Sequence, residues 1–117
     1  NIKLEDIPVG EKRVSIYAEK KGMVMWIKNR EIAEIAKIAG APRDKGAGVV
    51  LHKKITDKVR RGEKLLTIYS NSSVRLRQAL KHAEETKPIG IVDDLRRYML
   101  ITEVGLEPHE RKFILER

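Results

Sequence analysis

Two stretches of the chain carry an apolar residue every three or four positions, which is the spacing of an amphipathic helix. The first predicted helix covers residues 29–40 and the second covers residues 74–85. Asn29 and the residues at 71–73 are typical N-caps. Gly40 is typical of a helix C-terminus, and Pro42 prevents the first helix from continuing. We expect the two apolar stripes to pack on a sheet, and they consist of Ile32, Ile35, Ala36 and Ala39 in the first helix and Leu76, Ala79, Leu80 and Ala83 in the second.

Short segments rich in β-branched and aromatic residues lie around these helices and predict strands. The first two are separated by Lys20, Lys21 and Gly22, which predicts a hairpin with glycine in the turn. The resulting order, two strands, a helix, two strands, a helix and two strands, predicts an α+β fold with mostly antiparallel pairing. The six predicted strands cover residues 14–18, 23–27, 49–52, 65–69, 89–92 and 98–104.

The second predicted strand is apolar along its whole length. Alternation would place Met23, Met25 and Ile27 on one face and Val24 and Trp26 on the other. Two interpretations stay open: the strand is buried on both faces, or one apolar face is free to dock against another surface. In the second case, Trp26 or the two methionines should be partly exposed.

Length and composition indicate one domain over residues 14–104, with a lead-in over 1–13 and a charged tail over 105–117. The chain begins at Asn1 rather than Met, so we expect a piece of a longer protein. It has no cysteine, and His52, His82 and His109 lack the spacing of zinc ligands. Without a long apolar run or a signal-like start, we expect a cytoplasmic location and no membrane partner.

Positive charge is the strongest compositional feature. Lysine and arginine number 25 against 17 acidic residues, and the segment from Lys53 to Lys64 alone carries +4 of the net +8. A nucleic-acid-binding module is one interpretation. The other is the charge-dense surface of a heat-adapted protein, which fits a chain with 36% charged residues and a single glutamine. The aromatic residues do not interleave with the basic runs, which favours the heat-adapted surface and a chain without specific nucleic-acid binding.

Candidate chemistry is sparse, and we predict no catalytic, cofactor-binding or metal-binding residue. The loop over residues 42–48 contains glycines beside Asp44 and suits a structural loop better than a phosphate cradle. His52 is interpreted as a histidine at a core edge or interface. Turns that present modified lysines in biotinyl and lipoyl carriers are matched only superficially, because Val24 replaces the biotinyl lysine and Lys58 does not lie at a hairpin tip.

The path from Tyr17 through RDKGAGVVLHKK to DKVRRGEKLLTIYSN resembles the C-terminal domain of pyrimidine nucleoside and thymidine phosphorylases. Residues 42–48 look closest to the archaeal branch, the AMP phosphorylases. The resemblance covers residues 14–92 and implies an α/β-hammerhead fold with a hammerhead hairpin over residues 49–69.

The resemblance also implies that the parent enzyme splits AMP or a pyrimidine nucleoside with orthophosphate as co-substrate, to a free base and a ribose phosphate. The catalytic residues would lie in other domains, so this part alone should be inactive. We expect it to brace the catalytic domains or to hold the subunits of a homo-oligomer together.

Overall fold

The computed structural model describes residues 12–93, within which the chain forms six strands and two helices. The predicted strand over 98–104, the tail over 105–117 and residues 1–11 of the lead-in lie outside this range. The elements are β1 (Lys12–Tyr17), β2 (Gly22–Ile27), α1 (Asn29–Ala39), β3 (Gly48–Leu51), β4 (Lys58–Val59), β5 (Lys64–Ser70), α2 (Ser73–Thr86) and β6 (Ile89–Val92).

The strands form two antiparallel sheets of three strands each, so the predicted α+β fold with antiparallel pairing is confirmed. The first sheet has the order β1-β5-β3 and the second has the order β4-β2-β6. The predicted hairpin between the first two strands is wrong, because β1 pairs with β5 and β2 pairs with β4 and β6.

The physical reason is the anchoring of the chain just after β1. The buried Ala18 donates its N–H to the carbonyl of Glu63, and its own carbonyl accepts from Gly62 N–H. These long-range bonds hold the end of β1 beside the start of β5. The next strand along the chain, β2, therefore lies in the second sheet. Gly22 lies in β2 rather than in a turn, and a Cβ there would come within 2.5 Å of the Val92 carbonyl oxygen.

The segment predicted to form the hammerhead hairpin connects the two sheets. Its ends pair antiparallel as β3 and β5, with Val49 opposite Ile68. Between them lies β4, a two-residue strand that was not among the predicted strands, and Val59 of β4 is opposite Gly22 of β2. One continuous segment therefore contributes strands to both sheets.

Both helices cover one face of the first sheet and contact each other. Of the eight stripe residues expected to pack on the sheet, four are buried, namely Ile35, Ala39, Ala79 and Ala83. Ile32 and Leu76 are only partly buried and pack against the cluster, and Ala36 and Leu80 are also half-buried, because each helix has a side open to solvent. The core cluster consists of Ile35 and Ala39 of α1, Ala79 and Ala83 of α2, and Leu66 and Ile68 of β5.

The helix ends follow the predictions in two cases out of three. Ser72 caps α2, since its Oγ accepts the Arg75 N–H at 3.2 Å. Gly40 ends α1 with a φ of 128°, which favours glycine. The prediction that Asn29 caps α1 is wrong: Lys28 holds that position without a side-chain capping bond, and its N–H donates to the Pro88 carbonyl. Pairing with the segment before β6 fixes the start of this helix.

Candidate docking surface

The surfaces of β2 differ from the simple alternation expected for it. The register against β6 shifts between Val24 and Trp26, so Met25 is an extra residue in a bulge. As a result Val24 and Ile27, expected on opposite faces, pack in the same cluster around the second sheet. The prediction of the two faces is therefore wrong beyond Val24, and the bulge is its physical cause.

Met23, Met25 and Trp26 are all half-buried, which is the partial exposure expected of a strand with a docking role. Val24 is fully buried. The Trp26 indole lies against the backbone of Gly90, where an added Cβ would overlap the ring. Trp26 is thus fixed by β6 on one side and accessible on the other.

The basic segment, defined as residues 53–64, is organised by its two acidic residues. Lys53 Nζ lies 2.7 Å from Glu63 Oε2, and Glu63 Oε1 accepts the Arg60 N–H at 2.7 Å. The bond from Lys53, followed by that from Arg60, lowers the pKa of the Glu63 carboxyl below its ordinary value of 4.5. The segment is therefore closed by an ion pair, and its exposed cations are Lys54, Lys58, Arg60, Arg61 and Lys64.

The tip of the basic segment presents an apolar side chain on a fixed turn. Ile55 is 51% exposed. Asp57 Oδ2 accepts the Lys54 N–H at 2.9 Å, and Thr56, which follows Ile55, has a left-handed φ of 79°. Thr56 N–H donates to the Val24 carbonyl of β2 at 2.7 Å. The turn is held on both sides, so Ile55 is presented to solvent without a loss of loop entropy on binding.

His52 belongs to a chain of polar side chains across the first sheet. Its Nε2 lies 2.7 Å from Thr67 Oγ1, and Thr67 Oγ1 lies 2.8 Å from Ser15 Oγ. Thr67 is buried, whereas His52 is exposed at the end of β3. This agrees with the interpretation of His52 as a histidine at a core edge. Sequence reasoning missed Ser15 and Thr67, because only the β1–β5 register places them side by side.

The loop over residues 42–48 is folded on its own bonds. Asp44 N–H donates to the Gly40 carbonyl, and the Asp44 carbonyl accepts the Ala47 N–H. The Asp44 carboxylate lies 3.5 Å from Arg75 Nη1 of α2. These contacts support the interpretation of a structural loop. Lys58 lies in β4 opposite Met23, so it does not occupy the hairpin tip of a lipoyl carrier lysine.

One further contact joins the two helices and has no counterpart in the sequence pattern. His82 of α2 has its Nε2 3.8 Å from Glu31 Oε1 of α1, and this nitrogen is buried without a hydrogen-bond partner among residues 12–93. Its place in the seam between the helices supports a structural role. Among residues 12–93, no three histidine or acidic side chains cluster closely enough to hold a metal ion. Within the same range, no helix combines the length and the apolar character needed to span a membrane.

The surface therefore presents two apolar side chains, Ile55 on a rigid turn among basic residues and the half-buried Trp26.

Comparison with known proteins identifies the family of this chain. The family model of the pyrimidine nucleoside phosphorylase C-terminal domain matches residues 23–90, more than half of the chain. The chain belongs to this family.

Three relatives with high sequence identity to this chain are all named AMP phosphorylase. An AMP phosphorylase of Thermofilum pendens is 44% identical over 113 residues, which cover 97% of this chain. AMP phosphorylases of Pyrococcus horikoshii and Methanosarcina acetivorans are 50% and 48% identical over 78% and 76% of it. The chain spans only 22%, 18% and 18% of the length of these three proteins.

Proposed function

We propose that this chain is the C-terminal domain of an AMP phosphorylase and that its role is to dock and assemble the enzyme rather than to perform its chemistry. The parent enzyme would use orthophosphate to split AMP into adenine and a ribose bisphosphate. The observation that carries the proposal is the identity of 44–50% to AMP phosphorylases, which extends over most of this chain and about a fifth of those proteins.

The contacts of the polar residues support a structural role. His52 binds Thr67, Glu63 binds Lys53, and Asp44 lies beside Arg75. Phosphorolysis requires groups that hold the nucleotide and a phosphate in one place. Each of these side chains instead stabilises the domain itself, so we assign the reacting groups to other domains of the parent.

The docking partner proposed here is the catalytic part of the parent chain. Ile55 on its fixed turn provides an apolar anchor, and the surrounding cations favour a partner surface with acidic residues at its rim. The fixed turn favours protein docking over a solvated loop, because little conformational entropy remains to be lost.

The first experiment assays base release. The full-length parent should release adenine from AMP with phosphate, and the 117-residue chain alone should release none. Uridine and thymidine serve as the competing substrates. Preference of the parent for either nucleoside would contradict the assignment as an AMP phosphorylase, and turnover by the isolated chain would contradict a non-catalytic role.

The second experiment tests docking in the full-length parent. Ile55→Lys should weaken assembly in sedimentation velocity or lower turnover, since it places a charge at the proposed contact. Val74→Lys is the matched control, because Val74 is also exposed, at 62%, but lies on α2. Equal behaviour of the two variants would show that the turn at Ile55 is not the docking site.

A further inference from the structure

The turn between β3 and β4 contains a backbone conformation that its residue type disfavours. Thr56 has a φ of 79°, in the left-handed region where a branched Cβ crowds the backbone. Glycine or asparagine adopts this conformation at a lower cost in free energy. Such exceptions are concentrated at functional sites, where another requirement outweighs the local preference. The backbone of this turn therefore does not explain why threonine occupies the position.

Hydrogen bonds to β2 hold the conformation of the turn in place. Thr56 N–H donates to the Val24 carbonyl at 2.7 Å, and Val24 N–H donates to the Asp57 carbonyl at 2.9 Å. Val24 is fully buried, so the turn is attached to the core of the second sheet. Asp57 N–H also donates to the Lys54 carbonyl at 3.0 Å. These bonds use backbone atoms alone, and any residue with a backbone N–H could form them.

Within residues 12–93, the fold makes no use of the Thr56 side chain. The residue is exposed, and its Oγ1 has no hydrogen-bond partner among the described residues. Its hydroxyl therefore stabilises nothing in the described domain, while the branch at Cβ disfavours the conformation that the turn requires. A contact with another surface is the remaining source of a requirement for threonine.

The surroundings of Thr56 indicate the chemistry of that surface. Ile55, the preceding residue, is 51% exposed and suits an apolar depression on the partner. The cations Lys54 and Lys58 flank the turn and are exposed, and Asp57 already accepts the Lys54 N–H. A hydroxyl in such positive surroundings favours a negatively charged acceptor, because the nearby cations stabilise the same group.

We propose that Thr56 determines the specificity of the docking surface, its Oγ1–H donating to a carboxylate on the catalytic part of the parent chain while Ile55 fills the adjacent apolar depression. This role rests on the proposed docking function and adds the chemistry of the partner group. Lys54 and Lys58 stabilise the same carboxylate. Threonine is thus maintained in a left-handed conformation for docking, and it lowers the stability of the isolated domain.

Urea denaturation of the 117-residue chain tests whether the fold itself requires threonine. Thr56→Asn should raise the urea midpoint, since asparagine tolerates the left-handed region. Thr56→Ser and Thr56→Ala, which differ only in the hydroxyl, should have equal midpoints. A midpoint for Thr56→Asn at or below that of the unsubstituted chain would overturn the proposal. A lower midpoint for Thr56→Ala than for Thr56→Ser would also overturn it, because the hydroxyl would then be bonded within the chain.

Hydrogen exchange in the full-length parent tests the contact itself. Docking should slow amide exchange over residues 54–58 relative to the isolated 117-residue chain. Thr56→Ala should speed this exchange about tenfold, as expected for the loss of a hydrogen bond to a charged group, whereas Thr56→Ser should retain slow exchange. Ser73→Ala is the matched control, because it removes a hydroxyl from an exposed residue of α2, and it should have no effect.

Ile55→Lys separates a failure of this role from a failure of the docking function. Slow exchange that Ile55→Lys removes and Thr56→Ala retains would preserve docking through Ile55 and overturn the role of Thr56. Equally fast exchange in Thr56→Ser and Thr56→Ala would also overturn the role of the hydroxyl. Equal exchange over residues 54–58 in the unsubstituted parent and the isolated chain would overturn both, because the turn would then contact nothing in the parent.

Discussion

At the scale of single residues, burial and close approach decide which positions the fold depends on. Ile35 and Ile55 have the same side chain, but Ile35 is fully buried in the core and Ile55 is 51% exposed on a turn. Gly90 and Gly48 are both strand glycines, but only Gly90 lies against another side chain. These pairs allow a substitution and its control to share the same chemistry.

Ile35→Ala is expected to lower the free energy of unfolding by about 2–5 kcal/mol, through loss of apolar burial and the cavity that remains. Urea denaturation of the 117-residue chain measures this change. Ile55→Ala is the control and should change the free energy by no more than about 0.5 kcal/mol. Similar losses for both variants would contradict the position assigned to Ile35 in the core.

Gly90→Ala is expected to destabilise the domain by about 1–3 kcal/mol, because the new methyl group overlaps the Trp26 indole and forces it to move. Thermal denaturation measures the effect, and a change in Trp26 fluorescence should accompany it. Gly48→Ala is the control, since a Cβ at that position meets nothing within 4 Å. A neutral Gly90→Ala would show that the ring does not lie against this backbone.

At the scale of elements, local sequence patterns predicted where the helices and strands lie better than which strands pair with each other. Helix spacing located α1 and α2 to within about a residue because it depends on neighbours along the chain. The pairing of β1 with β5 instead joins Lys12 to Ser70, and no local pattern encodes such a distance. Likewise, the bulge after Val24 depends on the register with β6. Partial exposure of Met23, Met25 and Trp26 was therefore one of two interpretations that the pattern left open, and the faces on which they lie were not predicted.

The basic segment is the element with a predicted pH response. Its Glu63 has a pKa lowered by Lys53 and by the Arg60 N–H, so folding favours the ionised carboxylate. A lowered pKa in the folded state gives stability that is present above the unfolded pKa and is lost as pH falls through the folded value. We therefore expect stability to fall as pH decreases below about 4.5, the ordinary value for this group.

The measurement compares urea midpoints at a series of pH values from about 6 to about 3, since the linkage acts around the ordinary carboxyl pKa. Glu63→Gln should show a shallower decrease than the unsubstituted chain. Glu85→Gln, at an exposed position on α2, removes the same charge and should keep the original slope. Identical slopes for Glu63→Gln and the unsubstituted chain would show that the ion pair with Lys53 does not favour ionised Glu63.

At the scale of the whole molecule, the net charge of +8 admits two uses. A docking domain places its cations against an acidic protein surface, whereas a nucleic-acid-binding module places them against phosphates. The fixed apolar tip at Ile55 favours the protein surface. The two uses differ in how steeply binding to a generic duplex responds to salt.

If the five exposed cations of the basic segment each contacted a phosphate, affinity for DNA would fall about five-hundredfold between about 50 and about 200 mM salt. We expect weak binding with a much shallower dependence. Gel-shift titrations of the 117-residue chain with generic DNA and RNA at these two salt concentrations measure it. Replacing Lys58, Arg60 and Arg61 by glutamine should then have little effect on binding beyond the loss of net charge.

The control for this triple variant removes the same charge elsewhere, by replacing the exposed Arg30, Lys37 and Arg77 of the two helices with glutamine. Equal, small reductions in affinity for both variants are expected if the chain interacts with nucleic acid only through its net charge. Strong binding that the first variant abolishes and the second retains would locate a phosphate-contacting surface on the basic segment. That result would favour the nucleic-acid-binding module over docking through Ile55, because the same segment cannot contact phosphates and the catalytic domains at once.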